Sequence, residues 1–123
     1  MFVMSLPAKL QLKSGSTIAV LGVPETVELE LPEHAHATAE PASADAVIAF
    51  AIDSAAFVTV AAPAITAARE DRLAWIAYPK AGKLGTDLNR DILARLAQER
   101  GIRPVRQIAI NETWSALRFR PAV

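Results

Sequence analysis

Two nearly unbroken apolar runs, DAVIAFA (Asp45 to Ala51) and RLAWIAY (Arg72 to Tyr78), constrain this chain more than any other feature. A strand with no alternation of apolar and polar residues keeps both faces away from water. Such strands belong to parallel sheets covered on both sides. Between the runs lies DSAAFVTVAAPAITAARE. Asp53 or Ser54 can cap a helix there by accepting a backbone N–H bond. Alanine supplies helix propensity, and Phe57, Val60, Ala61 and Ile65 share one face. Pro63 removes a donor and crowds the preceding turn, so it kinks the helix or opens a second segment. Strand, helix and strand over about thirty residues make a βαβ unit with a right-handed crossover.

The flanks extend this unit. STIAVLG (Ser16 to Gly22) reads as a buried strand ending at a glycine. VPETVELELPEH carries two patterns. Val27, Leu29 and Leu31 alternate with Glu28 and Glu30, as in a half-buried strand, whereas Pro24 followed by Glu25 opens a short helix. The short helix is the reading adopted. HAHATAE (His34 to Glu40) reads as a short strand. A helix is predicted from Asp87 to Arg100, with Leu88, Ile92, Leu93, Leu96 and Ala97 as its apolar stripe. Thr86 is its expected cap, Asp87 and Asp91 lie in its first turn, Asp91 and Arg95 are spaced to pair, and Gly101 ends it. VRQIAI and WSALRF, joined by Asn111, Glu112 and Thr113, form a terminal antiparallel hairpin, with the last strand at or near an edge. The expected fold is one α/β domain spanning residues 1–123, three layers deep, around a mostly parallel sheet.

Composition narrows the function classes. The chain has 123 residues, 52% of them hydrophobic, enough for a core without covalent staples. It has no cysteine, which removes disulfides, thiolate nucleophiles and Cys-based zinc sites. The N-terminal MFVMSLPAKLQLKSG is broken by Pro7, Lys9 and Lys13 and does not read as a signal peptide. The uncharged run Ser54 to Ala68 is too short to span a bilayer. A soluble, cytoplasmic protein is expected. Thirteen basic and thirteen acidic residues cancel overall, which argues against nucleic-acid binding. They are unevenly placed: residues 1–68 carry a net −5 and residues 69–123 a net +5. Such a chain either presents a basic face or folds one half against the other.

The element order, with its terminal hairpin on a mostly parallel sheet, resembles the catalytic domain of class I S-adenosylmethionine-dependent methyltransferases, truncated, with residues 45–123 matching its second half. LAWIAYPKAGKLGTDLNRDIL and NETWSALRFRP also resemble a family of small bacterial proteins of unknown function. In that family a YPK turn, a TDLNRD helix start and a WSALRFRP final strand recur. This second resemblance implies a methyltransferase-like, Rossmann-like fold and is uninformative for activity, since the family has no assigned reaction and fold alone does not give function. The methyltransferase resemblance implies a glycine-rich cofactor loop after the first strand. The chain has VLGVPETVE there, with Gly22 alone, Val23 crowding the turn and Pro24 offering no N–H. It also implies an acid at the end of the second strand to hold ribose hydroxyls, for which Glu40 is the candidate, and places Asp53 where catalytic or substrate residues often stand. S-adenosylmethionine is therefore not expected as a cofactor.

The residues themselves offer one further site. Ligands of open α/β sheets bind beyond the carboxyl ends of the strands. YPKAGKLGTDLNRD lies at that edge, where Lys80 and Lys83 can meet an anion and the backbone N–H groups of Gly85 and Thr86 can cradle it. The competing reading is a plain strand-to-helix bend with solvated lysines, and the spacing is not that of a P-loop. His34 and His36, with Glu33 or Glu40, lack a firm third metal ligand and read as solvent-facing. No serine lies in a nucleophile elbow. Trp75 and Phe119 read as core. Trp114 shares a strand face with Arg118 and Arg120, open to a helix, a partner or a ligand. The expectation is a non-catalytic binding module with an unknown protein partner or a small anionic ligand. The alternative is a small-molecule binder or enzyme using Lys80 to Thr86 with Asp53 and Glu40. Pairing of an exposed terminal strand into a homodimer is a third possibility.

Overall fold

A computed structural model describes residues 5–122. Its helices are α1 (Leu6–Lys9), α2 (Ser54–Val60), α3 (Ala62–Arg69) and α4 (Arg90–Gln98). Its strands are β1 (Thr17–Leu21), β2 (His36–Ala37), β3 (Ala46–Phe50), β4 (Leu73–Pro79), β5 (Ile102–Ala109) and β6 (Trp114–Pro121). The two apolar runs are β3 and β4. They lie side by side and parallel, from Ala46 opposite Leu73 to Phe50 opposite Ala77, near the middle of a six-stranded sheet ordered β2-β1-β3-β4-β6-β5. All five residues of β3 are buried, and all of β4 except Leu73. The sheet is mixed: β1, β2, β3 and β4 run parallel, and β6 runs antiparallel to both β4 and β5.

Register separates the two faces. Ala19, Val47 and Ala74 stand in line with Phe119 on one face. Val20, Ile48, Trp75 and Arg118 form the next row, on the other face. Helices α2, α3 and α4 all cover the first face. Small residues allow the close approach: Ala64, Ala67 and Ala68 of α3 pack with Ala49 and Ala74 of the sheet. Asp53 caps α2 by accepting the Ala56 N–H at 2.8 Å. Pro63 falls in the first turn of α3, where its missing N–H costs nothing.

The opposite face corrects the expected third layer. It carries Ile18, Ile48, Phe50, Trp75 and Trp114, and the one-turn α1 with irregular chain covers it in place of a helical layer. Leu6, Leu10 and Leu12 come from the N-terminal segment, and Val27, Leu29 and Leu31 from the stretch before β2. The expected short helix after Pro24 is absent. A turn closes from the Val27 N–H to the Pro24 carbonyl, and the chain then runs without helix to Pro32. The alternating pattern prevailed for a physical reason. A helix would point Leu29 away from Val27 and Leu31, whereas extended chain turns all three inward and leaves Glu28 and Glu30 outside.

Other expectations shift at their boundaries. The strand read over His34 to Glu40 shrinks to His36–Ala37. Helix α4 starts at Arg90, capped by Asn89, which accepts the Ile92 N–H at 2.8 Å. Thr86 instead accepts the Leu88 N–H at 3.0 Å, a local bond that competes with helix. Asp91 sits 3.3 Å from Arg90 rather than pairing with Arg95 among the described residues. The final strand β6 is interior, and β5 is the edge. The sequence reading stretches to residues 1–4, which lie outside the described residues. Among the described residues no helix is long and apolar enough to cross a membrane.

Trp75 anchors the irregular cover. It is fully buried, and its indole N–H donates to the Leu10 carbonyl at 2.9 Å. Trp75→Phe leaves that carbonyl unpaired and opens space beneath the N-terminal segment. It should lower unfolding stability by about 1–3 kcal/mol and speed proteolysis of residues 5–12, read by denaturant melts and limited digestion.

Candidate functional site

At the carboxyl end of β4 the chain leaves the sheet at Pro79. The Lys80 N–H donates to the Thr113 carbonyl at 2.7 Å, continuing the ladder for one more residue. A tight turn follows, with Lys83–Gly85 in a short 3-10 helix. The Lys83 N–H donates to the Lys80 carbonyl at 2.8 Å and the Thr86 N–H to the Lys83 carbonyl at 3.0 Å. The Thr86 amide offered to an anion is thus consumed by the turn. Gly85 and Thr86 also precede the true helix start at Arg90, so α4's free amides lie elsewhere.

A cleft of about 720 Å³ opens beside this turn, and its lining includes Tyr78, Lys80, Arg90, Asp91, Gln107 and Ser115. It exists because α4 begins late. The last residues of β4 and the first of β6 emerge beyond the helix that would otherwise cover them. Its polar groups are linked. Gln107 donates from Nε2 to the Tyr78 hydroxyl at 3.3 Å, and Arg90 donates from Nε to Gln107 Oε1 at 3.1 Å. Arg90 also donates to Asp91 at 3.3 Å. Ser115 stands opposite Tyr78 in the ladder and is only 5% exposed. Burial pushes the Tyr78 phenol above its usual value, with Arg90 pulling the other way. The phenol is therefore protonated at neutral pH, accepts from Gln107 and keeps its own proton to give.

The six candidate residues separate in space. Lys80 lines the cleft. Lys83 is exposed on the turn, and Gly85 and Thr86 build that turn. Asp53 is occupied as the cap of α2. Glu40 lies at the other end of the sheet. Arg72, just before β4, donates to the Pro41 and Ala44 carbonyls at 2.9 and 2.6 Å. Residues 40–44 therefore sit where β4 begins, and Lys80 where it ends, a strand length of about 20 Å away. His34 and His36 are exposed, and no group of three His, Asp or Glu among the described residues is placed to hold a metal ion. Sequence reading passed over Asn89, Arg90 and Gln107. One signal was available: Asn89 three residues before Ile92 is a better cap than Thr86.

Two contacts settle what surrounds the cofactor-loop position. Gly22 has φ +70°, and a Cβ built on it would lie 2.9 Å from the Phe50 carbonyl oxygen and 3.1 Å from Val60. The surface freed by this glycine is taken by the exit of β3. Beyond it, Ser54 donates its N–H to Asp87 at 2.8 Å, and its hydroxyl donates to the same carboxylate. Asp87 thus clips the loop after β4 onto the start of α2, where a carboxylate also satisfies an orphan helix amide.

No family model, curated protein or solved structure matches this chain.

Two measurements probe these contacts. Gly22→Ala and Gly82→Ala both place a Cβ at positive φ, at about 1–2 kcal/mol of strain. Only Gly22→Ala adds a clash, since nothing lies within 4 Å at Gly82. It should lose roughly a further 1–3 kcal/mol in denaturant melts. For Asp87, the Ser54 hydroxyl and amide hold its carboxyl below the usual range. A depressed folded value gives stability that is present above the unfolded value of about 3.9 and lost as pH falls through the folded one. The Tm gap between wild type and Asp87→Asn should therefore be constant near neutrality and close below about pH 4.

Proposed function

We propose that this protein is a non-catalytic binding module on a degenerate methyltransferase-like scaffold, with its ligand seat in the cleft at the end of β4. The mostly parallel sheet closed by a reversed terminal hairpin, on which the resemblance rests, supports the scaffold part of this reading. The observation that carries the functional part is a contrast at one edge of the sheet. The turn after β1, where a nucleoside cofactor needs bare backbone, is packed against Phe50 and Val60. The end of β4 is open, with a largely apolar wall that includes Ala81, Ile108 and Ala109 and carries Tyr78, Lys80, Arg90, Gln107 and Ser115.

The cleft's chemistry is that of recognition. Lys80 and Arg90 bring two positive charges and Asp91, paired with Arg90, one negative, which leaves the cleft net positive. The Tyr78 phenol is held protonated, which suits donation to a ligand oxygen and unsuits it as a base. Tyr78, Gln107 and Ser115 add neutral hydrogen-bonding positions on strand ends, which hold geometry better than loops. The volume falls in the range of small-molecule sites. A small anion fits this set: charge goes to Lys80 and Arg90, and its oxygens to the phenol and the hydroxyl.

Melting temperature across phosphate, nucleotides, S-adenosylmethionine and S-adenosylhomocysteine tests the reading. A ligand at a hundred times its Kd stabilises the fold by about 2.7 kcal/mol. A phosphate-bearing compound should raise Tm, and Lys80→Ala and Arg90→Ala should each abolish the shift. A shift with S-adenosylmethionine that survives Lys80→Ala would return the site to the β1 turn. A flat response across the panel would overturn the small-anion seat.

A further inference from the structure

The charge polarisation of the sequence survives folding. Four Lys, Arg or His ion pairs occur among the described residues: His34 with Glu33, Arg72 with Glu70, Arg90 with Asp91, and Arg120 with Asp71. None joins an acid of residues 1–68 to a lysine or arginine of residues 69–123. Three exposed glutamates of residues 1–68 and four arginines of residues 69–123 instead stand on opposite sides of one face of the sheet, the face away from α2, α3 and α4.

The basic set is a ribbon on β5 and β6. Arg103 stands opposite Arg120, and Arg106 opposite Arg118. Arg118 is in register with Trp75, which places these side chains on the face away from α2, α3 and α4. Like charges directly opposed across a ladder destabilise it, and here two such pairs stand in succession. One carboxylate among the described residues answers them: Asp71, which takes two hydrogen bonds from Arg120 at 2.9 Å. The fields of Arg118 and Arg103 add to that bond in holding Asp71 low. Arg118 donates from Nη1 to Gln11 Oε1 at 2.6 Å, and its buried Nε has no hydrogen-bond partner among the described residues. Between the pairs the edge strand bulges, and Val105 is left 39% exposed.

The acidic set is the irregular segment before β2. Glu25, Glu28 and Glu30 are exposed and pair with no cation among the described residues. Beneath them Val20, Val23, Val27, Leu29 and Leu31 line an apolar groove of about 300 Å³. From β1 and β2 to β6 and β5 is three to five strand spacings, about 14–24 Å. That exceeds the screening length of about 8 Å at physiological salt, so neither set neutralises the other within one molecule.

We infer that this face is a self-association surface, on which the Glu28/Glu30 segment of one copy meets the Arg103/Arg106 ribbon of a second copy, and the reverse. A two-fold axis parallel to the strands exchanges the two sides of the face and forms both contacts at once, as a closed isologous interface requires. Val105 of each ribbon then meets the apolar groove rimmed by the other copy's glutamates. A second copy is the occupant the chain itself supplies, with equal and opposite charge, an apolar knob and an apolar groove. This inference is independent of the cleft at the end of β4. It also differs from edge-to-edge strand pairing, which the bulge and the arginines of β5 oppose.

Sedimentation of the described chain tests it. In about 0.1 M salt the wild type should run as a dimer at millimolar protein. It should dissociate towards about 1 M salt, where the screening length falls to about 3 Å. Arg103→Glu with Arg106→Glu, and separately Glu28→Lys with Glu30→Lys, should each give a folded monomer by circular dichroism and mass. Mixing the two variants one to one should restore the dimer, because both contacts regain opposite charges. A wild type monomeric throughout, association indifferent to the variants, a mixture that stays monomeric, or growth beyond the dimer would each overturn the inference. Retention of monomeric protein on heparin through the arginine ribbon would assign that ribbon to another anion and overturn it too.

Discussion

β3 and β4 must be covered on both faces, and the rest of the molecule answers to that demand. Their ten buried side chains from Ala46 to Phe50 and from Ala74 to Tyr78 leave neither strand a wet side. Parallel neighbours cannot be joined by a tight turn, so the chain between them has to cross over one face, and α2 and α3 do so. Small residues on both partners of that contact set a close helix-to-sheet distance. The second face took the single turn of α1 and irregular chain from the N-terminal segment and from the stretch after β1. The Trp75 indole holds that cover through its bond to the Leu10 carbonyl, and Arg118 adds a second polar tie through Gln11.

The shape of the candidate site follows from the economy of this cover. Three helices on one face reach only part of it. Asp87 is drawn away to Ser54, the start of α4 is delayed to Arg90, and the strand ends at Tyr78 and Ser115 stay open towards the cleft. The same displacement removes the simplest anion cradle, because the turn before the helix spends its amides on itself. A cleft of polar strand-end groups therefore stands where a helix N-terminus was anticipated. On the other side of the edge, Phe50 and Val60 occupy the space that Gly22 leaves. One glycine lets two strand exits approach.

Charge tells a parallel story. The ion pairs of the basic half are short-range and internal to it, so the fold keeps the two halves electrically distinct. This is a choice of geometry. Glu25, Glu28 and Glu30 sit on irregular chain near β1 and β2, Arg103, Arg106, Arg118 and Arg120 on the ladder at the far edge, and the width of the sheet lies between them.

Much of the architecture was legible in the residues. Unbroken apolar runs at β3 and β4, an alanine-rich stretch with Asp53 before it and Pro63 within it, and two β-rich segments around Asn111 to Thr113 identify their elements, because burial on two faces, helix capping and hairpin closure are local demands with local signatures. The helix start, the irregular cover and the site were not legible in the same way. Thr86, Asp87 and Asn89 all suit a helix N-terminus, and a serine thirty-three residues earlier settled the competition by claiming Asp87. Glu40 and Lys80 both follow predicted strands, yet they stand at opposite ends of the sheet because β2 is two residues long and pairs only with the beginning of β1. Lys80, Arg90, Gln107 and Ser115 meet through four different elements. Proximity of that kind depends on where strands end relative to the helices laid over them, a matter of three-dimensional register that no window of neighbouring residues contains.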